Sequence, residues 1–326
     1  MEDGYASGIM TTVSDLGSRE RNDHIKARIG IDRMGHRVRS GLYALGSPER
    51  SSPVLVTANY TLSFDALRSA LPGRSAWILV LDTNGINVWC AAGKGTFSTD
   101  ELLKAVQATD LASKVDVRTL ILPQLSAPGV SAHLVRKGCG FKVEYGPVRA
   151  EDLPAYLDSG ECSEGMRTVR FNLRDRLVLA PVEVRNYRWW MLLLLLSTIF
   201  VPFYGLLVLA LTLGGIFLFP ALLPYLPGKD LSLKGMVLGA LLVTPFALYQ
   251  LLFWKGGFVI VAVIAEYLLL LAWLGYLGLN FTGSTTFTSR TGVRREMFTY
   301  IPWMAGTAAI GGCLAIATAM IYAGWL

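Results

Sequence analysis

The carboxyl-terminal part of the chain is more apolar than a soluble domain tolerates. After Arg188 the sequence consists of long apolar runs that only nine charged residues interrupt. A helix that crosses a bilayer needs about 20 apolar residues. The first run is too long for one crossing, and Pro202 and Gly205 offer a turn that divides it in two. The sequence therefore predicts an all-α transmembrane bundle over residues 189–326. Its five predicted spans are 189–204, 206–226, 234–254, 257–279 and 299–323.

The basic residues of this part are distributed unevenly between the two ends of the predicted spans. Five spans leave only Lys255 on the outer side and place the basic residues around Lys229 and Arg294 on the side of the preceding soluble part. Cytoplasmic loops carry an excess of Lys and Arg. We therefore expect a multi-pass protein of the inner (cytoplasmic) membrane, in contact with lipid, whose soluble part lies in the cytoplasm.

The first 188 residues have the composition of a globular protein. Residues 1–40 are polar and rich in Gly and Ser, which predicts a flexible leader, and residues 181–188 form a linker. Between them, over 41–180, short apolar runs alternate with amphipathic segments, as in βα units. Strands are predicted at 53–59, 77–82, 119–122, 141–145 and 168–173, and helices at 63–71, 99–108, 129–137 and 147–157. This order predicts a Rossmann-like α/β domain, in which ligands bind beyond the carboxyl ends of the strands.

Charge and cysteine usage exclude several classes of site. Removing the charged residues after position 188 leaves 24 basic against 21 acidic residues, so the basic pI is weak evidence for nucleic-acid binding, and no run of clustered Lys and Arg with interleaved aromatics points to it. The four cysteines are Cys90, Cys139, Cys162 and Cys313, and no two of them form a C-x-x-C pair. The sequence therefore predicts no iron–sulfur cluster held by this chain alone.

One motif follows the predicted strand that ends at Asp82. After Thr83 the chain continues to Asn87-Val-Trp-Cys-Ala-Ala-Gly-Lys94, which sets a Cys and a Trp beside small residues at the ligand edge. A soft thiolate in such a place can bind a soft or borderline metal centre, and small residues let a planar group approach the backbone. Spacing alone favours the alternative that Cys90 is a small buried apolar side chain. A phosphate-binding loop is excluded, because Val88 occupies the position of its first glycine.

The motif at 87–94 resembles the signature of the membrane-bound corrinoid protein of the mercury-methylation pair. The segments 41–46, 54–60, 120–124 and 141–147 resemble the same family. The likeness covers about residues 30–180 and extends into the apolar tail. The domain is also similar to the corrinoid-binding domain of the corrinoid iron–sulfur protein of acetyl-CoA synthesis.

The resemblance implies a cofactor, a set of ligands and a reaction. The cofactor would be cobalamin or a related corrinoid, with Cys90 as the lower axial ligand of its cobalt. The cofactor-binding residues would be Asn87, Val88, Trp89, Cys90, Ala91, Ala92, Gly93 and Lys94, which form a helical cap, together with Asp82 and Thr83. The implied reaction transfers a methyl group from methyl-Co(III) to Hg(II), giving methylmercury. The implied partners are a ferredoxin-like iron–sulfur protein as electron donor and a methyl-donor protein or methyl-folate.

Two other functions remain open at this stage. The first is a membrane-tethered methyl carrier of one-carbon metabolism with a different acceptor. The second is a membrane transporter or sensor that binds a corrinoid only as a ligand. Glu266 lies within an apolar span, where an acidic residue is costly, so it is either functional or hydrogen-bonded to Tyr249 or Thr244. The hydroxyl-rich loop at 280–297 either contacts the corrinoid or the ferredoxin partner, or simply connects two spans.

Overall fold

The chain divides into two compact units, which are described separately. A computed structural model describes residues 4–32, 35–282, 285 and 290–322. The units comprise Met1–Arg170 and Phe171–Leu326. The first contains an α/β sheet and the second is helical, which confirms the predicted order of an α/β domain followed by apolar helices.

One sheet of six strands organises the first unit. Its strands are β1 Ile9–Thr12, β2 Gly41–Leu45, β3 Val54–Ala58, β4 Ala76–Leu81, β5 Thr119–Leu122 and β6 Lys142–Tyr145. They follow the order β1-β2-β4-β3-β5-β6. Strands β3 to β6 are parallel to one another, whereas β2 pairs with β4 in the antiparallel sense and carries β1 at the edge. Every residue of β3 and β4 is buried, as expected of central parallel strands covered on both faces.

Helices cover both faces of this sheet. They are α1 Ser18–Ile29, α2 Thr61–Ser69, α3 Val88–Lys94, α4 Thr99–Ala108, α5 Leu111–Lys114, α6 Ala132–Cys139, α7 Leu153–Ser159 and α8 Glu164–Arg167. Helix α4 has the predicted bounds, and the Ser98 hydroxyl accepts a hydrogen bond from the Glu101 backbone N–H at 3.3 Å, as an N-cap does. One core lies around Phe97 and Phe141, and the other, on the opposite face, around Phe64 and Leu71.

Two parts of the first 180 residues differ from the predicted elements. The predicted strand at 168–173 is wrong: the chain there is irregular, and Asn172 then begins the next helix through a reciprocal capping box with Asp175. The segment predicted as a flexible leader contains strand β1 and helix α1. Strand β1 has a burial pattern of exposed and half-buried residues, so its apolar signal in the sequence is weak.

The second unit consists of helices of very different length. They are α9 Leu173–Leu177, α10 Ala180–Asn186, α11 Arg188–Ser197, α12 Pro202–Leu222, α13 Leu231–Phe253, α14 Phe258–Phe281 and α15 Arg290–Tyr322. Within the described residues, four helices are long and apolar enough to cross a membrane, namely α12, α13, α14 and α15. The predicted count of five spans therefore differs from the four helices of sufficient length, and residue 323 of the last predicted span lies outside the described residues.

The discrepancy arises in the long apolar run that begins at Trp189. Helix α11 has 10 residues, so it is about 15 Å long, half the thickness of the hydrocarbon core. It ends where the hydroxyls of Ser197 and Thr198 bond to carbonyls one turn back, and Pro202 starts α12 at its first turn. The break therefore lies several residues earlier than the turn predicted near Gly205.

Glycines let helices α13 and α14 approach closely. A Cβ atom added to Gly278 would collide with the carbonyl oxygen of Leu231, and one added to Gly235 would collide with the carbonyl oxygen of Leu274. Small residues at such contacts allow backbones to pack against each other in membrane proteins. By contrast, a Cβ atom added to Gly306 of α15 would meet nothing within 4 Å.

We predict that Gly278→Ala destabilises the helical unit and that Gly306→Ala does not. Overpacking at Gly278 should cost about 1–3 kcal/mol, whereas the alanine at 306 gains about 1 kcal/mol of helix propensity. Thermal unfolding of the purified full chain in detergent measures both effects. A melting temperature for Gly278→Ala equal to that of Gly306→Ala would contradict the packing described.

Candidate functional site

The ligand edge of the sheet is shaped by a tight turn after strand β4. Asn84 and Gly85 have φ angles of +57° and +69°, and the Ile86 N–H bonds to the Thr83 carbonyl at 3.2 Å. Two consecutive positive φ angles define a type I′ turn, for which Asn-Gly is the favoured pair. Gly85 is required for a second reason, because a Cβ atom there would lie 2.7 Å from the side chain of Arg37. The turn sends the chain directly into helix α3.

The side chain of Asn59 holds this turn in place. Asn59 follows β3, is 4% exposed, and lies beside the end of β4. Its Oδ1 atom accepts the backbone N–H groups of Thr83 at 3.1 Å and Gly85 at 2.9 Å, and lies 2.9 Å from the Thr83 hydroxyl. Its Nδ2 atom donates to Asp82 Oδ1 at 2.9 Å. One buried amide thus joins the ends of two neighbouring strands to the turn.

Tyr5 supports the same edge from the amino-terminal segment. Its hydroxyl donates to Glu101 Oε1 at 2.6 Å and accepts the Asp82 backbone N–H at 3.2 Å. Burial, reinforced by the hydrogen bond to Glu101, raises the pKa of the Tyr5 hydroxyl well above its ordinary value. Tyr5 therefore stays neutral and acts as a fixed link between the turn and helix α4.

Helix α3 carries the motif and is capped at both ends. The Asn87 side chain accepts the backbone N–H of Cys90 at 2.9 Å, which satisfies a free donor of the first turn. Gly95 closes the helix in the left-handed conformation, at a φ of +83°. The motif thus forms a helix with Asn87 at its N-cap, and Cys90 lies in its first turn.

The two faces of α3 have different surroundings. Val88, Ala91 and Ala92 are buried in the core around Phe97, so the two alanines serve packing against the sheet. Asn87, Gly93 and Lys94 are exposed, and a Cβ atom added to Gly93 would meet nothing within 4 Å. Cys90 and Trp89 are half-buried, and the Cys90 thiol is free. The exposed face therefore presents a thiol next to open space.

A cavity of about 300 Å³ adjoins the helix. It lies beyond the carboxyl ends of β3 and β5, where open α/β sheets bind their ligands. Its walls are mostly apolar and include Trp89, Leu122, Pro123 and Pro147, with the hydroxyls of Thr57 and Ser63 as polar groups. Such a volume and lining suit a small aromatic group.

Protein side chains alone do not form a metal centre in the part of the chain that the structure describes. There, no group of three or more His, Cys, Asp and Glu residues converges. Any metal bound by Cys90 in this surrounding would need its remaining ligands from another molecule. A metal already held in a macrocycle meets that condition, so the residues present fit a corrinoid.

The acidic residue within the apolar helices has a different partner from those expected. Glu266, 7% exposed, accepts hydrogen bonds from Gln250 Nε2 at 2.6 and 2.8 Å. The prediction of Tyr249 or Thr244 as its partner is wrong, since the Thr244 hydroxyl bonds instead to Tyr267 at 2.8 Å. For the loop predicted at 280–297, residues 283, 284 and 286–289 lie outside the described residues.

Comparisons with known proteins place the matched region around this site. Residues 30–157 match the family of the CO dehydrogenase/acetyl-CoA synthase delta subunit. The chain is similar to the gamma subunits of the acetyl-CoA decarbonylase/synthase complex of Methanopyrus kandleri, 33% identical over 123 residues, and of Methanosarcina thermophila, 34% identical over 125 residues. Each alignment covers 37% of this chain and 26% of the relative, so the chain spans about a quarter of their length.

These comparisons correct one expectation and support another. The expected assignment to the membrane-bound corrinoid protein of the mercury-methylation pair is wrong, because the matches are to subunits of the acetyl-CoA decarbonylase/synthase complex. The expected cofactor agrees with them, because the matched family is a cobalt corrinoid-binding subunit whose iron–sulfur component is a separate subunit. The second unit lies outside the matched residues.

Sequence reasoning missed Asn59, although a signal was present. Asn59 and Asp82 each follow an apolar strand directly. Because the carboxyl ends of adjacent parallel strands meet at one edge, two polar residues in these positions indicate a hydrogen-bonded pair. The second reason for a glycine at 85, the close approach of the Arg37 side chain, became visible only with the structure.

We predict that Asn59→Ala loosens the turn that leads into α3. The change leaves the N–H groups of Thr83 and Gly85 without their acceptor, at a cost of about 2–4 kcal/mol in local stability. Hydrogen exchange of these two amides should accelerate roughly a hundredfold. Asn22→Ala, at an exposed position of α1, serves as the control. Unchanged exchange at both amides in Asn59→Ala would refute the role assigned to this side chain.

Proposed function

We propose that this chain is a corrinoid-dependent methyl-transfer protein in which the Cys90 thiolate is the lower axial ligand of cobalt. The observation that carries the proposal is the free, half-buried thiol of Cys90 on a capped helix at the ligand edge of the sheet. The match of residues 30–157 to a corrinoid-binding family supports it. When bound, the corrinoid supplies a cobalt atom that carries a methyl group between a donor and an acceptor.

The exposed face of α3 is the surface that would receive the corrin ring. Asn87, Cys90 and Gly93 recur every three residues, so they lie along one side of the helix. The open space at Gly93 leaves room for a planar group close to the backbone. Lys94 is also exposed, and its ammonium group would donate a hydrogen bond to an amide at the rim of the ring.

The remaining residues assigned to the cofactor support this face from behind. Ala91 and Ala92 fit the helix against the core, and Asp82 and Thr83 are held by Asn59 at the start of the turn. If Cys90 binds the cobalt, the corrinoid's own aromatic base would need another place to bind. The cavity that Val88 and Trp89 line, with its apolar walls, fits a flat aromatic base.

The thiolate also constrains the chemistry of transfer. A sulfur anion is a strong donor, so a Cys90 thiolate bound to cobalt would raise its electron density and would favour transfer of the methyl group with its bonding pair. The acceptor is then an electrophile, and Hg(II), a soft cation, is the acceptor proposed here as substrate. Each such transfer would require two electrons, for which a ferredoxin-like iron–sulfur protein is the proposed donor, and a methyl-donor protein or methyl-folate is the proposed source of the methyl group.

The comparisons favour a second candidate for the acceptor. The similar proteins are named as subunits of an acetyl-CoA decarbonylase/synthase complex. The chain would then be a methyl carrier of one-carbon metabolism that delivers to a protein partner. Both candidates use the same residues of α3 and differ only in what receives the methyl group.

The broken helix before α12 supports a cytoplasmic position for the first unit. Arg176 Nη1 donates to the Ala221 carbonyl near the end of α12, whereas Thr198 lies against Gly205 near its start. Residues 176–198 thus run antiparallel to α12 over most of its length. The chain enters the second unit at the end where Asp230 pairs with Arg295 at 2.7 Å. This end carries the basic residues, as the cytoplasmic side of an inner-membrane protein does.

We predict that Cys90→Ala lowers methyl transfer by about 100-fold or more, because loss of a direct ligand should exceed the 10- to 100-fold loss typical of supporting residues. The assay uses the full chain in nanodiscs, loaded with methylated corrinoid. Cys139→Ala, which removes another half-buried thiol of the same unit, controls for thiol loss. Undiminished transfer by Cys90→Ala would contradict the proposed ligand.

The acceptor of the methyl group is identified by adding alternative acceptors to the same nanodisc preparation. We expect Hg(II) to take up the methyl group in single turnover and to give methylmercury, measured by mass spectrometry. The matched reaction contains a purified acetyl-CoA decarbonylase/synthase complex instead of Hg(II). Transfer only in the second reaction would reject Hg(II) and leave the carrier function standing.

A further inference from the structure

The outward face of helix α1 combines apolar and basic side chains. Ile25 and Ile29 lie one turn apart and are 56% and 36% exposed, and Ile31, just beyond the helix, is 39% exposed. Exposed apolar residues aligned on one face mark an interaction surface more often than scattered ones do. The exposed basic residues Arg19, Arg21, Lys26 and Arg28 flank the isoleucines on both sides. We name these seven residues the basic–isoleucine face.

The acidic and histidine side chains of α1 point towards the body of the unit. Asp23 Oδ1 lies 2.8 Å from His36 Nδ1, and His24 Nε2 lies 2.7 Å from the buried Asp65 of α2. Glu20 lies 3.9 Å from the guanidinium of Arg68. The outward face therefore has an excess of positive charge that no acidic residue of this helix offsets there.

The helix is fixed firmly enough to present that face. Arg68, 5% exposed, donates to Asp65 Oδ1 at 2.6 Å and to the carbonyls of Val13 and Asp15 at 2.6 and 3.0 Å, just before α1. The anchoring groups all lie on the inner side of α1. The outer side of α1 is therefore available to bind a partner. Helix α1 also lies outside residues 30–157, which match the corrinoid-binding family.

We propose that the basic–isoleucine face binds the surface of a bilayer that contains anionic phospholipids. Charge complementarity selects this partner, because basic residues beside an apolar ridge bind anionic headgroups while the apolar side chains enter the interface. The same chain carries four helices able to cross a membrane, so a bilayer is present at high local concentration. This inference does not depend on the proposed function.

The test uses the full chain in nanodiscs that contain a photoreactive group on the lipid headgroup. One preparation contains phosphatidylcholine alone and the other also contains phosphatidylglycerol, and crosslinks are mapped by mass spectrometry. We expect crosslinks within residues 18–31 to be several-fold more abundant with the anionic lipid. Lys26→Glu combined with Arg28→Glu should lower them several-fold, and so should Ile25→Ser combined with Ile29→Ser.

Two control variants keep the result interpretable. Lys26→Arg combined with Arg28→Lys preserves the charge and should preserve the crosslinks. Arg136→Glu combined with Lys137→Glu reverses the same charge at exposed positions of α6 and should leave crosslinking of α1 unchanged. Equal crosslinking in both lipids, or crosslinks that persist in the charge-reversed α1, would overturn the proposal. Protection of α1 by an acidic ferredoxin and not by lipid would likewise assign the face to a protein and overturn it.

Discussion

The site depends on the hydrogen bonds of one buried amide. Asn59 lies where two parallel strands end side by side, and its oxygen takes two backbone N–H groups of the turn after β4. In this turn the two N–H groups are directed into the protein, so they need a hydrogen-bond acceptor there. This β-turn then determines where helix α3 begins. The position of the Cys90 thiol is thus a consequence of the strand order and of a single side chain.

Helix α3 uses one face for packing and presents the Cys90 thiol on the other. Its alanines face the core and allow the helix to lie close to the sheet, while the thiol and the open space at Gly93 face outward. A single thiol cannot hold a free metal ion with a complete coordination sphere, but it can complete the sphere of a metal in a macrocycle. The neighbouring cavity offers room for a base that the thiol would displace. These features together make a corrinoid the cofactor that the chemistry of the site fits.

The sequence predicts the central part of the fold well because its signals are local. The buried strands β3, β4 and β5 and the Ser98-capped helix follow from apolar runs and a capping residue. The motif at 87–94 forms a helix after strand β4, but the packing of its alanines depends on Phe97 and the sheet, which the sequence alone does not show. Strand β1 was missed because its residues are exposed or half-buried and its pairing with β2 is a tertiary contact. The break after Ser197 was predicted near Gly205 instead, because Pro202 and Gly205 are stronger turn signals in the sequence than the Ser197 and Thr198 hydroxyls that end α11. The five predicted spans outnumber the four helices of sufficient length because this break leaves α11 with 10 residues.

The central claim is a bond between the Cys90 sulfur and cobalt. X-ray absorption at the cobalt edge of the purified, corrinoid-loaded full chain measures that bond directly, without any requirement for an acceptor or an electron donor. One sulfur scatterer in the first shell of the unaltered protein, absent from Cys90→Ser with corrinoid still bound, is the predicted result. A cobalt surrounded only by nitrogen and oxygen in the unaltered protein would contradict the account.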